Sequence, residues 1–219
     1  MDNPVFSSSS PKTDEELFQA VNNNNLEKVK DIMRAIPTVN PNHKNMLNVA
    51  VGKGNHEMVQ ALLTSQLIDV HQRNTQGAPP LYQACTSPRV LVEVVKVLLY
   101  DPRVDVNFGE GGLCTPLWGA AFEGHVAIIK WLIVSGRDLH LEKKGRLLAV
   151  LFDDNEYSAL EIARARGNQE AAAVLDRFKK NQPLTRTEIR KELGIEGMLR
   201  GRRGEGGPFG LESSGGDLL

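Results

Sequence analysis

The chain has 219 residues, 41% hydrophobic and 24% charged, with 26 basic and 27 acidic side chains for a formal net charge of −1. That length suits one elongated domain plus tails, and the charge balance exerts no global pull toward nucleic acid or an anionic membrane. No apolar run approaches the roughly 18 residues of a membrane span, and Cys85 and Cys114 are too few for a disulfide framework, so both are expected to be reduced.

Residues 1–12, MDNPVFSSSSPK, read as a disordered segment. They lack the cationic start and long apolar core of a secretory signal, so the expectation is a cytoplasmic or nuclear protein. From Thr13 the pattern changes. Leu17, Phe18, Ala20 and Val21 predict a short helix with Thr13 and Asp14 as capping residues, and residues 22–25 predict a turn in which asparagine takes the left-handed conformation. Val29, Ile32 and Met33 then mark a second helix. The same pair of stripes recurs in a second unit, 45–77, as Leu47 and Ala50, the turn glycine Gly54, and Val59, Leu62 and Leu63.

A third unit, 78–113, opens on Pro79, Pro80 and Leu81 and carries Ala84 with Val95, Leu98 and Leu99. About two extra residues fall in its inter-helix turn at 86–89, where the expectation is a bend or loosening. Asp105 and Asn107 are turn formers in the loop that follows. Its glycines, Gly109, Gly111 and Gly112, are not followed by a GK[ST] sequence, so they read as structure rather than a phosphate cradle. The fourth unit, 114–156, is the most regular: Thr115 and Pro116 start a helix, Gly124 ends it, and Ile129, Leu132 and Ile133 form the next stripe before Gly136. The apolar run RLLAVLFDD at 146–154 extends its final loop. It reads either as a longer hairpin packed back on the repeats or as an exposed docking element. The fifth unit, 157–181, has Leu160, Ala163, Gly167, Ala172 and Leu175, with the alanines and added charge of a closing unit. Residues 182–200 predict a short helical extension with Ile189, Leu193 and Ile195 on its apolar side, and 201–219 have the composition of a flexible tail.

Five units of two short helices and a loop, recurring at about 33 residues, fit the ankyrin period. On TPLWGAAFEGH in the fourth unit, GKGNHEMVQALL and LIDVHQRNTQG in the second, and PLYQAC with VDVNFGEGG in the third, residues 13–181 resemble an ankyrin-repeat array. The TRTEIRKELG segment resembles one that follows such arrays in some fungal and other microbial eukaryotic proteins. The resemblance implies an all-α solenoid of helix-turn-helix pairs carrying β-hairpin fingers, which binds a partner protein on its concave face and lacks catalysis.

The chemistry-bearing residues agree with a non-enzyme. None of His43, His56, His71, His125 and His140 lies three or four residues from another histidine or a cysteine, so neither metal nor cofactor is expected. His56 and His125 read as turn histidines, and Asp153 and Asp154 as a polar stop rather than an acid/base pair. Candidate protein-binding residues are three aromatics expected together on adjacent units, Tyr82, Trp118 and Phe122, with Glu123 beside them and Arg73, Phe108, Glu110 and Lys143 as a finger rim. For Tyr82 and Trp118 the alternative is that they fill the place usually held by histidine and pack on a finger base. Phe122 is expected to be hard to bury. The basic segment around Arg177, Lys179, Lys180, Arg186, Arg190, Lys191, Arg200, Arg202 and Arg203 offers an alternative site for nucleic acid or anionic membrane, or else a solvated helix face. A degenerate array without a partner is a third possibility, and a monomer is expected.

Overall fold

The computed structural model describes residues 11–109, 114–145 and 155–196. Its helices are α1 (Pro11–Asn22), α2 (Leu26–Ala35), α3 (Met46–Lys53), α4 (His56–Leu63), α5 (Pro80–Cys85), α6 (Val92–Tyr100), α7 (Pro116–Glu123), α8 (Val126–Val134), α9 (Ala159–Ala165), α10 (Gln169–Lys180) and α11 (Gln182–Glu192). None exceeds 12 residues, the length at which an isolated helix is only marginal in water, so stability must come from stacking. The odd-numbered helices α1 to α9 pack side by side in an inner layer and the even-numbered α2 to α10 in an outer one, with α11 against α8 and α10. This is an all-α solenoid.

The repeated residues form the seam between the layers. Leu17, Leu47, Leu81 and Leu117 are buried on the inner helices, as are Ala20, Ala50, Ala84, Ala120 and Ala163, where small side chains admit the neighbouring helix. Val29, Val59, Val95 and Ile129 face them from the outer layer, with Leu62, Leu98, Leu132 and Leu175 one turn on. The helix starts follow from local chemistry. Thr115 Oγ1 accepts the Trp118 N–H at 3.1 Å, and Ser158 with Glu161 forms a reciprocal capping box. Helix α1 begins earlier than expected, at Pro11, so Thr13 and Asp14 lie in its first turn and not at its cap. Asp14 instead accepts the Asn40 N–H at 3.0 Å, holding the first finger. The turn residue Asn24 takes φ 56°, the left-handed geometry that Gly124 shows at 76°.

The two-residue enlargement of the third turn ties the stack together instead of loosening it. Arg89 donates to the Gly52 carbonyl of the preceding unit, and the His125 ring meets the Ser87 carbonyl at 2.8 Å from the following one. His125 thus bonds across to a neighbouring turn, not within its own.

Side chains also link successive fingers. Asn42 accepts the Asp69 N–H at 2.7 Å, His71 Nε2 accepts that of Asp105 at 2.8 Å, and Asn107 accepts that of His140 at 3.1 Å. The fingers are built from turns; the isolated antiparallel bridge found among the described residues pairs Gly145 with Tyr157. A parallel series of arginines closes α4, α6 and α8. Arg103 donates to Leu63 O and Ser65 O at the end of α4. Arg137 donates to Leu99 O, Asp101 O and Val104 O after α6, and Arg186 to Ile133 O and Arg137 O after α8. Each helix leaves its last carbonyls without intrahelical partners, and a cation there also meets the negative end of the helix dipole.

Candidate functional site

Helices α5 and α7 place Tyr82 and Trp118 at matching positions in their first turns, and Phe122 one turn beyond Trp118. Gly119 lets these helices approach closely, because a Cβ at that residue would come within 2.5 Å of Thr86 Cγ2. The aromatics do meet, but they are buried: Tyr82 is 3% exposed, Trp118 1% and Phe122 7%.

Trp118 follows the finger-base reading. Trp118 Nε1 donates to the Tyr157 carbonyl at 2.8 Å, just as Asn48 in the same place on α3 donates to Gln72 O at 2.6 Å. In α1 the equivalent Phe18 meets the His43 ring edge-on. Phe122 departs from the expected exposure. One face stacks on Trp118 with ring centres 5.4 Å apart, and the Arg166 guanidinium lies 4.5 Å from its ring centre. Asn168 completes the cover by donating to Ala121 O and Phe122 O at 3.0 and 2.9 Å, capping α7. Apart from Trp118, these covering groups come from the fifth unit.

Parts of the three aromatics nonetheless line a groove of about 280 Å³, together with Gln76, Ala78, Gln83, Thr86 and Glu123. Glu123 is exposed there and makes no ion pair among the described residues. The groove therefore joins an apolar floor to an unneutralised carboxylate and two amides. The sequence reading missed Gln76, Gln83 and Thr86, which carry no motif, although Gln83 stands next to Tyr82.

The expected rim is divided. Arg73 and Phe108 come together, the guanidinium 4.7 Å from the ring centre, with His71 packed on the same ring. Arg73 also donates to Gly77 O and Gly109 O, so it braces two fingers. Lys143 lies half-buried on the fourth finger and does not line the groove. Glu110 and the 146–154 run lie outside the described residues. Gly145 and Tyr157, on either side of that run in the sequence, exchange backbone hydrogen bonds of 2.8 and 3.0 Å beside Trp118.

A larger groove, about 770 Å³, opens between α2 and α4 on the outer layer, bordered by Leu26, Met33, Val39, Ala61, Thr64 and Leu67. Ala61 and Thr64 are small where the next helix has Val97 and Tyr100, which explains the gap. Its lining has no aromatic ring, and its cations Lys30 and Arg34 pair locally with Glu27 and Asp31.

Most of the basic segment within the described residues is engaged in the fold. Arg177 pairs with Glu192 and Glu188, Lys179 with Glu142, and Lys180 with Asp176. Lys130, the closest partner of Glu192, holds that carboxyl below its ordinary pKa. Arg200, Arg202 and Arg203 lie outside the described residues.

No helix among the described residues is long and apolar enough to cross a membrane. No match was found among curated proteins. A family model described as ankyrin repeats in three copies matches residues 17–110, and another described as an ankyrin repeat matches residues 113–144. Ankyrin repeats are protein–protein interaction modules. The two matches together span more than half of the chain and coincide with the stacked helix pairs, and the chain belongs to the ankyrin-repeat family.

Proposed function

We propose that this array is a non-catalytic scaffold that captures a partner protein along the inner-helix groove of Tyr82, Trp118, Phe122 and Glu123, with Arg73, Phe108, Glu110 and Lys143 contributing from the fingers. The observation that carries this reading is the groove itself, an aromatic floor beside an exposed, unpaired carboxylate. Aromatic side chains supply contact area at little conformational cost, and the polar rim fixes orientation. The outer-layer groove is larger but has no aromatic ring in its lining, so the smaller one is the better recognition surface.

The test must spare the buried rings, because replacing Trp118 also removes its bond to Tyr157. Glu123→Arg combined with Gln76→Ala alters the rim alone, since both side chains are exposed and neither bonds within the fold among the described residues. A protein captured from native lysate by the intact chain, and identified by mass spectrometry, is expected to disappear with this double variant at unchanged melting temperature. Undiminished capture sinks the groove assignment.

A further inference from the structure

We propose that Arg186 and Arg190, at the C-terminal end of the stack, form an oxyanion site for a phosphate monoester or inorganic phosphate. The two residues stand one turn apart on α11, on the same helix face. Their guanidinium groups border the same backbone turn: Arg186 Nη2 donates to Arg137 O at 3.0 Å, and Arg190 Nη2 lies 4.0 Å from the position a Cβ would take on Gly136. No acid neutralises either of them among the described residues. The helix's own carboxylates, Glu188 and Glu192, sit two residues away on the opposite flank, where Arg177 and Lys130 hold them.

The two arginines differ in one respect. Arg186 is used, donating to Ile133 O and Arg137 O and lying over the Phe178 ring. The Arg190 side chain makes no hydrogen bond or ion pair among the described residues, and its Nε is buried without an acceptor. An unsatisfied buried donor on a cation is unfavourable, and a second cation one turn away adds repulsion. Burial first, and the charge of Arg186 second, hold the Arg190 pKa below its ordinary value. The group that relieves the repulsion between the paired charges is an anion with several acceptor oxygens. A carboxylate neutralises one of the two charges; a phosphate monoester, at about −1.5 to −2 near pH 7, neutralises both.

The experiment follows the side-chain Nε–H resonances of the intact chain by NMR during titration with inorganic phosphate, O-phosphoserine or oligothymidylate, against sodium chloride at equal ionic strength. The expected result is a saturable shift of the Arg186 and Arg190 resonances with phosphate or phosphoserine. The melting temperature should rise with phosphate concentration as ligand linkage requires. Shifts with both identify the phosphoryl group as the determinant; shifts with inorganic phosphate alone assign a free-phosphate site. Arg190→Gln is expected to weaken phosphate binding about 10- to 100-fold, while melting no lower than the wild type in phosphate-free buffer. Equal shifts with chloride, or none at millimolar phosphate, overturn the proposal. So does a preference for the oligothymidylate diester, and so does an Arg190→Gln variant destabilised without phosphate, which marks Arg190 as a structural brace.

Discussion

Glu15 shows how one side chain on an inner helix holds the first finger. Its carboxylate accepts from Lys44 at 2.7 Å, from Gln19 at 2.9 Å and meets the His43 ring at 3.2 Å. The Lys44 bond, with Gln19 and His43 behind it, lowers its pKa from 4.5 to about 2. A carboxyl whose folded pKa is depressed contributes stability above its unfolded pKa and loses it as pH falls through the folded value. The melting temperature of the wild type is therefore expected to fall more steeply than that of Glu15→Gln between about pH 4.5 and 2. Parallel acid limbs contradict this. Asp101, Glu161, Asp176 and Glu192 are also depressed, so the variant keeps part of the slope. The sequence announced the caps and turn residues, because Thr115 and Gly124 act through backbone groups a few positions away. It did not announce the burial of Phe122, whose cover comes from Arg166 and Asn168 more than a turn of the solenoid later.

Between elements, the closest fit is α5 against α7, where Gly119 faces Thr86. Gly119→Val inserts side-chain atoms into that contact. An overpacked core commonly loses about 1–3 kcal/mol, so urea unfolding should show a loss of that order; an unchanged midpoint shows that Thr86 can move aside. The helix pairs themselves were legible, since the Leu-x-x-Ala stripe and the following turn residue recur along the chain. The tie made by the third turn was not. Arg89 and His125 reach carbonyls 37 and 38 residues away, and no local pattern in residues 86–89 specifies such partners.

The whole array is closed by α11, which packs on the outer helices α8 and α10 with Thr185 and Ile189 buried and Ile195 buried just beyond it. The spacing of Ile189, Leu193 and Ile195 made this helix readable; that Arg186 would be spent on carbonyls of the fourth unit was not readable, because a basic run looks alike in a cap and in a nucleic-acid arm. A chain ending at Asn181 loses the burial of Ile189 and Ile195, about 1.5–3 kcal/mol apiece by transfer reasoning. It is expected to melt at lower temperature and with a broader transition in calorimetry. A full-length-like transition shows that α10 closes the stack alone.

The arginine series gives the solenoid a direction in time as well as space. Leu63 O waits for Arg103, Leu99 O for Arg137 and Ile133 O for Arg186, intervals of 40, 38 and 53 residues. Because a chain is synthesised N-terminus first and its parts begin folding during synthesis, α4, α6 and α8 each emerge from the ribosome before the side chain that finishes them. Completion of these helices during translation thus trails the nascent end by more than one repeat, and the fourth repeat is completed only when α11 arrives.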